Sequence, residues 1–191
     1  MGETVMSTEQ ADYSVAQKVI HWLMALIICF DLFVAQKFGR VMEDWDRLES
    51  RVDHATVGTV LTILLVLRLY FRFRHGPAVM PPGMPPWQVT AAKAGHFALY
   101  ACMVLLVVSG FATGMNAADP IPLFGQLDIT LGQTNEDLMQ TIRPVHEFAT
   151  NAMIVLIAIH VLAALQHHFV AKDRSTAKML KFWKSERNSA G

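Results

Sequence analysis

The stretch HEFATNAMIVLIAIHVLAALQHHF, residues 146–169, carries four histidines in a run otherwise apolar enough to cross a lipid bilayer. Such a segment decides the fold. A helix of about 20 predominantly apolar residues spans ~30 Å of hydrocarbon, and polar side chains within it are costly and mark sites. Apolar stretches at 17–36, 55–71 and 94–115 accompany this one, whose own apolar part runs over 148–169. The chain of 191 residues is 53% hydrophobic and 17% charged, and its connections leave no room for a separate soluble domain. The expected fold is therefore all-α, a four-transmembrane-helix bundle forming a single membrane domain over 1–191. Its spans fall approximately at 17–36, 51–72, 92–115 and 144–170, followed by a basic tail at 171–191. The proline-rich PAVMPPGMPP at 77–86 is the one compositionally biased tract.

Net charge is zero, but its distribution is lopsided. Arg68, Arg72, Arg74 and Lys93 flank the second connection, and Lys172, Arg174, Lys178, Lys181, Lys184 and Arg187 populate the tail. The third connection sets Arg143 against Asp119, Asp128, Glu136 and Asp137. The positive-inside rule assigns the second connection and the tail to the cytoplasm, and with an even number of spans both termini are expected there. The first span has neither a charged leader nor an A-x-A site and reads as retained. Cys29 and Cys102 lie in separate spans with no C-x-x-C, so disulfide frameworks and zinc ribbons lose their usual signals. HEFAT lacks the second histidine of a zinc protease because Thr150 stands there. Nucleotide-binding and hydrolase motifs do not occur, and no nucleic-acid partner is expected.

The histidines sort by depth and face. His146 and His160 are separated by ~21 Å of rise and ~1400° of rotation, about 40° short of four turns, so they share a face. His167 extends the stripe. Two redox centres stacked across the bilayer suit this pattern, since neutral imidazole is a good axial ligand for haem iron. Measured from span centres, His21 and His160 lie ~7 and ~5 Å toward the cytoplasm, and His54 and His146 both lie ~13–16 Å toward the other side. Each pair matches in depth. His96, ~13 Å out, is expected nearer the level of His167 than of His160, lining a pocket below the inner haem with an axial role in reserve. Gly58, Ala149, Ala163 and Ala164 neighbour these histidines and would give a porphyrin space, although small residues equally permit close helix packing.

YSVAQKVIHWL at 13–23, DHATVG at 53–58, GHFALY at 95–100, HEFATN at 146–151 and IHVLAALQHHFVAKD at 159–173 together resemble the bacterial cytochrome b561 family. These are four-helix dihaem cytochromes of the inner membrane, and they include superoxide oxidase. The resemblance implies two non-covalent, bis-histidine haems b, one held by His21 and His160 and the other by His54 and His146. It also implies that ubiquinone binds near the basic end of span two and His167. In the superoxide oxidase members, superoxide delivers electrons at the outer face, and two electrons pass inward to reduce ubiquinone.

Arg51 and Arg143, three residues before His54 and His146, are the candidates to draw superoxide inward; arginines at helix ends also snorkel. Glu43, Asp44, Asp46, Glu49 and Asp53 partly cancel Lys37, Arg40, Arg47 and Arg51; if these acids crowd the outer haem, anion steering weakens and a periplasmic protein partner is favoured as donor. His167, Gln166 and Lys93 are able to hydrogen-bond a quinone, and Arg72 or Arg74 to stabilise negative charge developing on it. His168 points ~100° from His167, toward headgroups. Asp31 is a membrane acid with no assigned role beyond hydrogen bonding or interfacial exposure. In TNEDLMQTIRP, Thr134 and Asp137 resemble a capping box opening a short helix, able to shelter the outer haem or dock a partner. Three functions stand: a superoxide:ubiquinone oxidoreductase, a dihaem subunit linking a periplasmic dehydrogenase or soluble cytochrome to the quinone pool, and a histidine-based metal transporter.

Overall fold

A computed structural model of the chain describes residues 13–35, 43–76, 80, 83–130, 132, 134–173 and 176–180. Lys37, Arg40, Arg174, Lys181, Lys184 and Arg187 lie outside the described residues. Among those described, four helices are long and apolar enough to cross a membrane. They are α1 (Val15–Ala35), α2 (Asp44–His75), α3 (Pro86–Met115) and α4 (Glu136–Leu165), the last continued by a π-helical turn over Gln166–Ala171. A short α5 (Ala177–Leu180) follows.

Local chemistry sets the helix ends. Ser14 and Gln17 form a reciprocal capping box at the start of α1, with Ser14 N donating to Gln17 Oε1 (2.9 Å) and Gln17 N to Ser14 Oγ (3.2 Å). α2 stops at Gly76, whose φ of 72° favours glycine. Pro86 opens α3 at a position where a missing N–H costs nothing. Three helices begin well before their apolar stretches, because polar residues continue a helix beyond the hydrocarbon until a stop signal intervenes. The expected separate short helix near Thr134 does not form. Asn135 is the cap instead, accepting from Leu138 N at 3.0 Å, and α4 runs unbroken through Pro144 into the fourth span. Pro144 is exposed and forgoes only one backbone bond, at an end of the helix that water reaches.

Packing couples α1 with α2 through Ile20, Met24 and Leu65, and α3 with α4 through Cys102, Ala149 and Met153. Met153 is 1% exposed whereas Leu26, Phe30, Phe33, Phe97 and Leu162 exceed 60%. Apolar side chains face outward because lipid is their solvent. Hydroxyls inside the helices satisfy themselves locally: Thr59 donates to the Ala55 carbonyl, Thr62 to Gly58 and Thr150 to His146.

The connection between α3 and α4 departs from pure helix. It forms a hairpin of β1 (Pro122–Leu123) and β2 (Leu127–Asp128), antiparallel with Leu123 opposite Leu127. Ile121 and Leu123 are buried, Gly114 closely approaches Ile129, and Phe124 N donates to Thr56 Oγ1 at 3.4 Å. The hairpin is thereby drawn over the end of α2. At the opposite end the tail folds back: Trp22 Nε1 donates to the Met179 carbonyl (3.1 Å) and Thr176 Oγ1 to the Ala164 carbonyl (3.0 Å).

Candidate functional site

Histidines from all four long helices meet between the α1/α2 and α3/α4 pairs, at two levels. At the hairpin end, the rings of His54 (α2) and His146 (α4) have centres 6.1 Å apart. At the tail end, His21 (α1) and His160 (α4) are 6.3 Å apart, and His96 (α3) lies 5.6 Å from His160. His96 therefore stands at the level of His160, not of His167. The depth estimate failed because α3 begins at Pro86. Counted from the middle of the whole helix, near residue 100, His96 is only ~7 Å out.

The hairpin-side rings are held from behind. His54 Nδ1 lies 2.9 Å from Asp31 Oδ1, and because a carboxylate only accepts, the ring donates. Asp31, in α1, is buried at 8% exposure. His146 Nδ1 lies 2.9 Å from Ser109 Oγ, whose own proton goes to the Leu105 carbonyl at 2.6 Å. Both Nδ1 atoms thus have a partner behind the ring, the arrangement that directs an imidazole's Nε2 toward a metal. Gly110 allows this approach, since a Cβ there would come 3.1 Å from His146 Cε1. A Cβ on Gly58 would meet nothing within 4 Å, so Gly58 borders open volume. Ala149 does not: it is wholly buried and its carbonyl accepts from Cys102 Sγ at 3.2 Å. Ala163 is exposed and the Ala164 carbonyl serves Thr176.

At the tail-side level the charged neighbour is Arg68, one helix stripe along from His54. Its Nε donates to Tyr100 Oη at 3.0 Å, and its charge acts on His21, His96 and His160. Arg72 is within electrostatic range of His96. Further out, His167 is half-buried and its Nδ1 pairs with Asp173 Oδ2 at 2.5 Å. Gln166, Lys93 and Arg74 are exposed, and among the described residues none of them hydrogen-bonds His96 or His167. His168 is exposed and stacks edge-on with Phe169.

The two arginines near the hairpin-side pair are both tied to carboxylates. Arg51 lies 3.8 Å from Asp119, and Arg143 Nε donates to Glu147 Oε1 at 2.8 Å. Sequence reading missed Ser109, Gly110 and the partners of Asp31 and Arg68. The signals available were the 14-residue spacing of Arg68 from His54 and the height of Asp31, ~15 Å along α1 from His21.

The donor set is suited to b-type haem. Two imidazoles sharing one haem iron would need ring centres about 6 Å apart, a spacing that His54 with His146, and His21 or His96 with His160, could supply. A membrane bundle that pairs imidazoles at two depths defines an electron-transferring membrane cytochrome. Residues 12–182 match the family model described as prokaryotic cytochrome b561, and the chain belongs to that family of b-haem electron-transfer proteins.

It is similar to "Probable superoxide oxidase CybB" of Yersinia pestis, 29% identical over 171 residues covering 88% of this chain and 95% of the relative. It also resembles "Cytochrome b561 homolog 2" of Escherichia coli strain K12, 28% identical over 88% of this chain and 90% of the relative. "Cytochrome b562" of Cereibacter sphaeroides is 27% identical over 91% of this chain and 98% of that protein.

Proposed function

We propose that the chain is a dihaem superoxide:ubiquinone oxidoreductase of the bacterial inner membrane. In this reading the hairpin end is periplasmic and both termini are cytoplasmic. His54 and His146 hold the outer haem, with Gly58 beside it, and His21 and His160 hold the inner one. His96 is the reserve ligand. The observation that carries the reading is the pair of cross-helix imidazole contacts, at 6.1 and 6.3 Å. Bound haem supplies reversible one-electron exchange, the chemistry needed between a one-electron donor and a two-electron acceptor.

Arg51 and Arg143 attract superoxide to the outer end. Two superoxide anions leave as dioxygen after losing one electron each, and one ubiquinone takes up two electrons and two protons. His167, oriented by Asp173, supplies protons at the cytoplasmic end. Gln166 and Lys93 hydrogen-bond the quinone, and Arg72 and Arg74 stabilise its developing negative charge.

The test is a pyridine haemochrome determination on purified protein and on His54→Ala and His160→Ala variants, followed by superoxide-driven quinone reduction. Two haems per chain, with one lost in each variant, and fast oxidation of superoxide support the reading. Haem without superoxide activity would leave the second reading, an electron-transfer subunit with a periplasmic protein donor. The ion pairs that engage both Arg51 and Arg143 favour that alternative. A protein without haem would return the metal-transporter reading. That reading needs ligands converging on one ion, and among the described residues no three histidine, cysteine or carboxylate side chains do so.

A further inference from the structure

A carboxylate inside a membrane span is expensive unless a partner holds it. Asp31 is buried at 8% exposure in the outward half of α1, and its Oδ1 is 2.9 Å from His54 Nδ1. Its counterpart behind His146 is a neutral hydroxyl, Ser109. At the other level the charge facing the histidines is of opposite sign, the Arg68 guanidinium held by Tyr100. The two ends of the site are built with unlike electrostatics.

We propose that Asp31 and Arg68 are positioning residues that set a potential difference across the molecule. Asp31 lowers the electron affinity of the iron bound by His54, and Arg68 raises that of the iron bound by His160. The proposal rests on the ligand assignment above. A negative charge hydrogen-bonded to the far nitrogen of an imidazole increases the ring's basicity and stabilises the oxidised metal, while a cation near the other centre stabilises the reduced one. The resulting slope favours movement of electrons from the hairpin end toward the tail end.

The test is an optical redox titration of the purified, haem-loaded full chain and of Asp31→Asn, Asp31→Glu and Arg68→Gln, with haem counted in each. Asp31→Asn, which keeps an acceptor but no charge, is expected to raise one midpoint and leave the other in place. The expected size is at least tenfold in the electron distribution, about 59 mV for a one-electron couple. Asp31→Glu, which keeps the charge, should restore the low midpoint, and Arg68→Gln should lower the other midpoint alone. Two haems with both midpoints unmoved in Asp31→Asn and Arg68→Gln would overturn the proposal. So would Glu behaving like Asn. If Asp31→Asn fails to accumulate, Arg68→Gln and Asp31→Glu still decide it. Failure of the ligand assignment is read separately, as His54→Ala retaining both haems.

Discussion

At the scale of the residue, the hairpin-side pair depends on two glycines that do different things. Gly110 gives α3 its close approach to His146, so Gly110→Ala must push the ring by a few tenths of an ångström. We expect a severalfold loss of haem from that end alone, read as pyridine haemochrome per chain and a changed low-spin EPR signal. Gly58→Ala adds a methyl where no protein atom lies within 4 Å. The apoprotein should fold unchanged, and haem content should fall only if the macrocycle fills the volume beside Gly58. Equal haem content in the Gly58→Ala and unmodified proteins would remove Gly58 from the binding space.

At the scale of the element, the hairpin between α3 and α4 is pinned by one side chain. Asp128 accepts from Thr130 N (3.0 Å), Thr130 Oγ1 and Ile121 N (3.1 Å). These bonds, the Thr130 backbone bond foremost, hold its carboxyl below the ordinary aspartate value of 3.8. A lowered folded value means the stabilisation is complete above 3.8 and lost as pH falls through the lower one. Protection of the amides in 121–130, taken relative to the intrinsic exchange rate at each pH, should therefore fall in strong acid, and in Asp128→Ala at every pH. The cap of α4 is a second such point. Asn135→Ala gives up the bond to Leu138 N, about 1 kcal/mol, and should fray the first turn to proteolysis while the histidine levels stay intact.

At the scale of the whole molecule, charge arrangement at the hairpin end bears on the donor. Arg51 and Arg143 attract an anion weakly while Asp119 and Glu147 neutralise them, and exposed pairs like these contribute little to stability. Asp119→Asn together with Glu147→Gln should leave thermal stability unchanged. If superoxide is the donor, its oxidation should quicken severalfold at low ionic strength, with the gain vanishing as salt screens the field. An unchanged rate would favour a docking protein. Reporter fusions at each terminus test the expected cytoplasmic orientation, which the clustering of Arg68, Arg72, Arg74, Lys93, Lys172 and Lys178 motivates.

The number of long apolar helices and the shared depth of His54 with His146 and of His21 with His160 were legible in the sequence, which left open whether His21 or His96 is the partner of His160. Hydrophobic length and helical rise are properties of a single segment, and 14 residues of α-helix carry a face from one depth to another whatever surrounds it. The sequence also flagged Asp31 as an anomaly, a charge where lipid forbids one. Only tertiary structure decided what Asp31 touches, that Ser109 and Gly110 back His146, and that His96 joins His21 and His160. Those relations depend on how α1 and α3 rotate and slide against α2 and α4. Rotation and register are set by small-residue packing between helices, which leaves no periodic mark within any one of them. Where α3 begins, and with it the depth of His96, follows from a proline start signal outside the apolar run. Hydrophobic length and helical rise within single segments determined the number of spans and the heights of His21, His54, His146 and His160, whereas contacts between spans determined the height of His96 and turned those heights into a site.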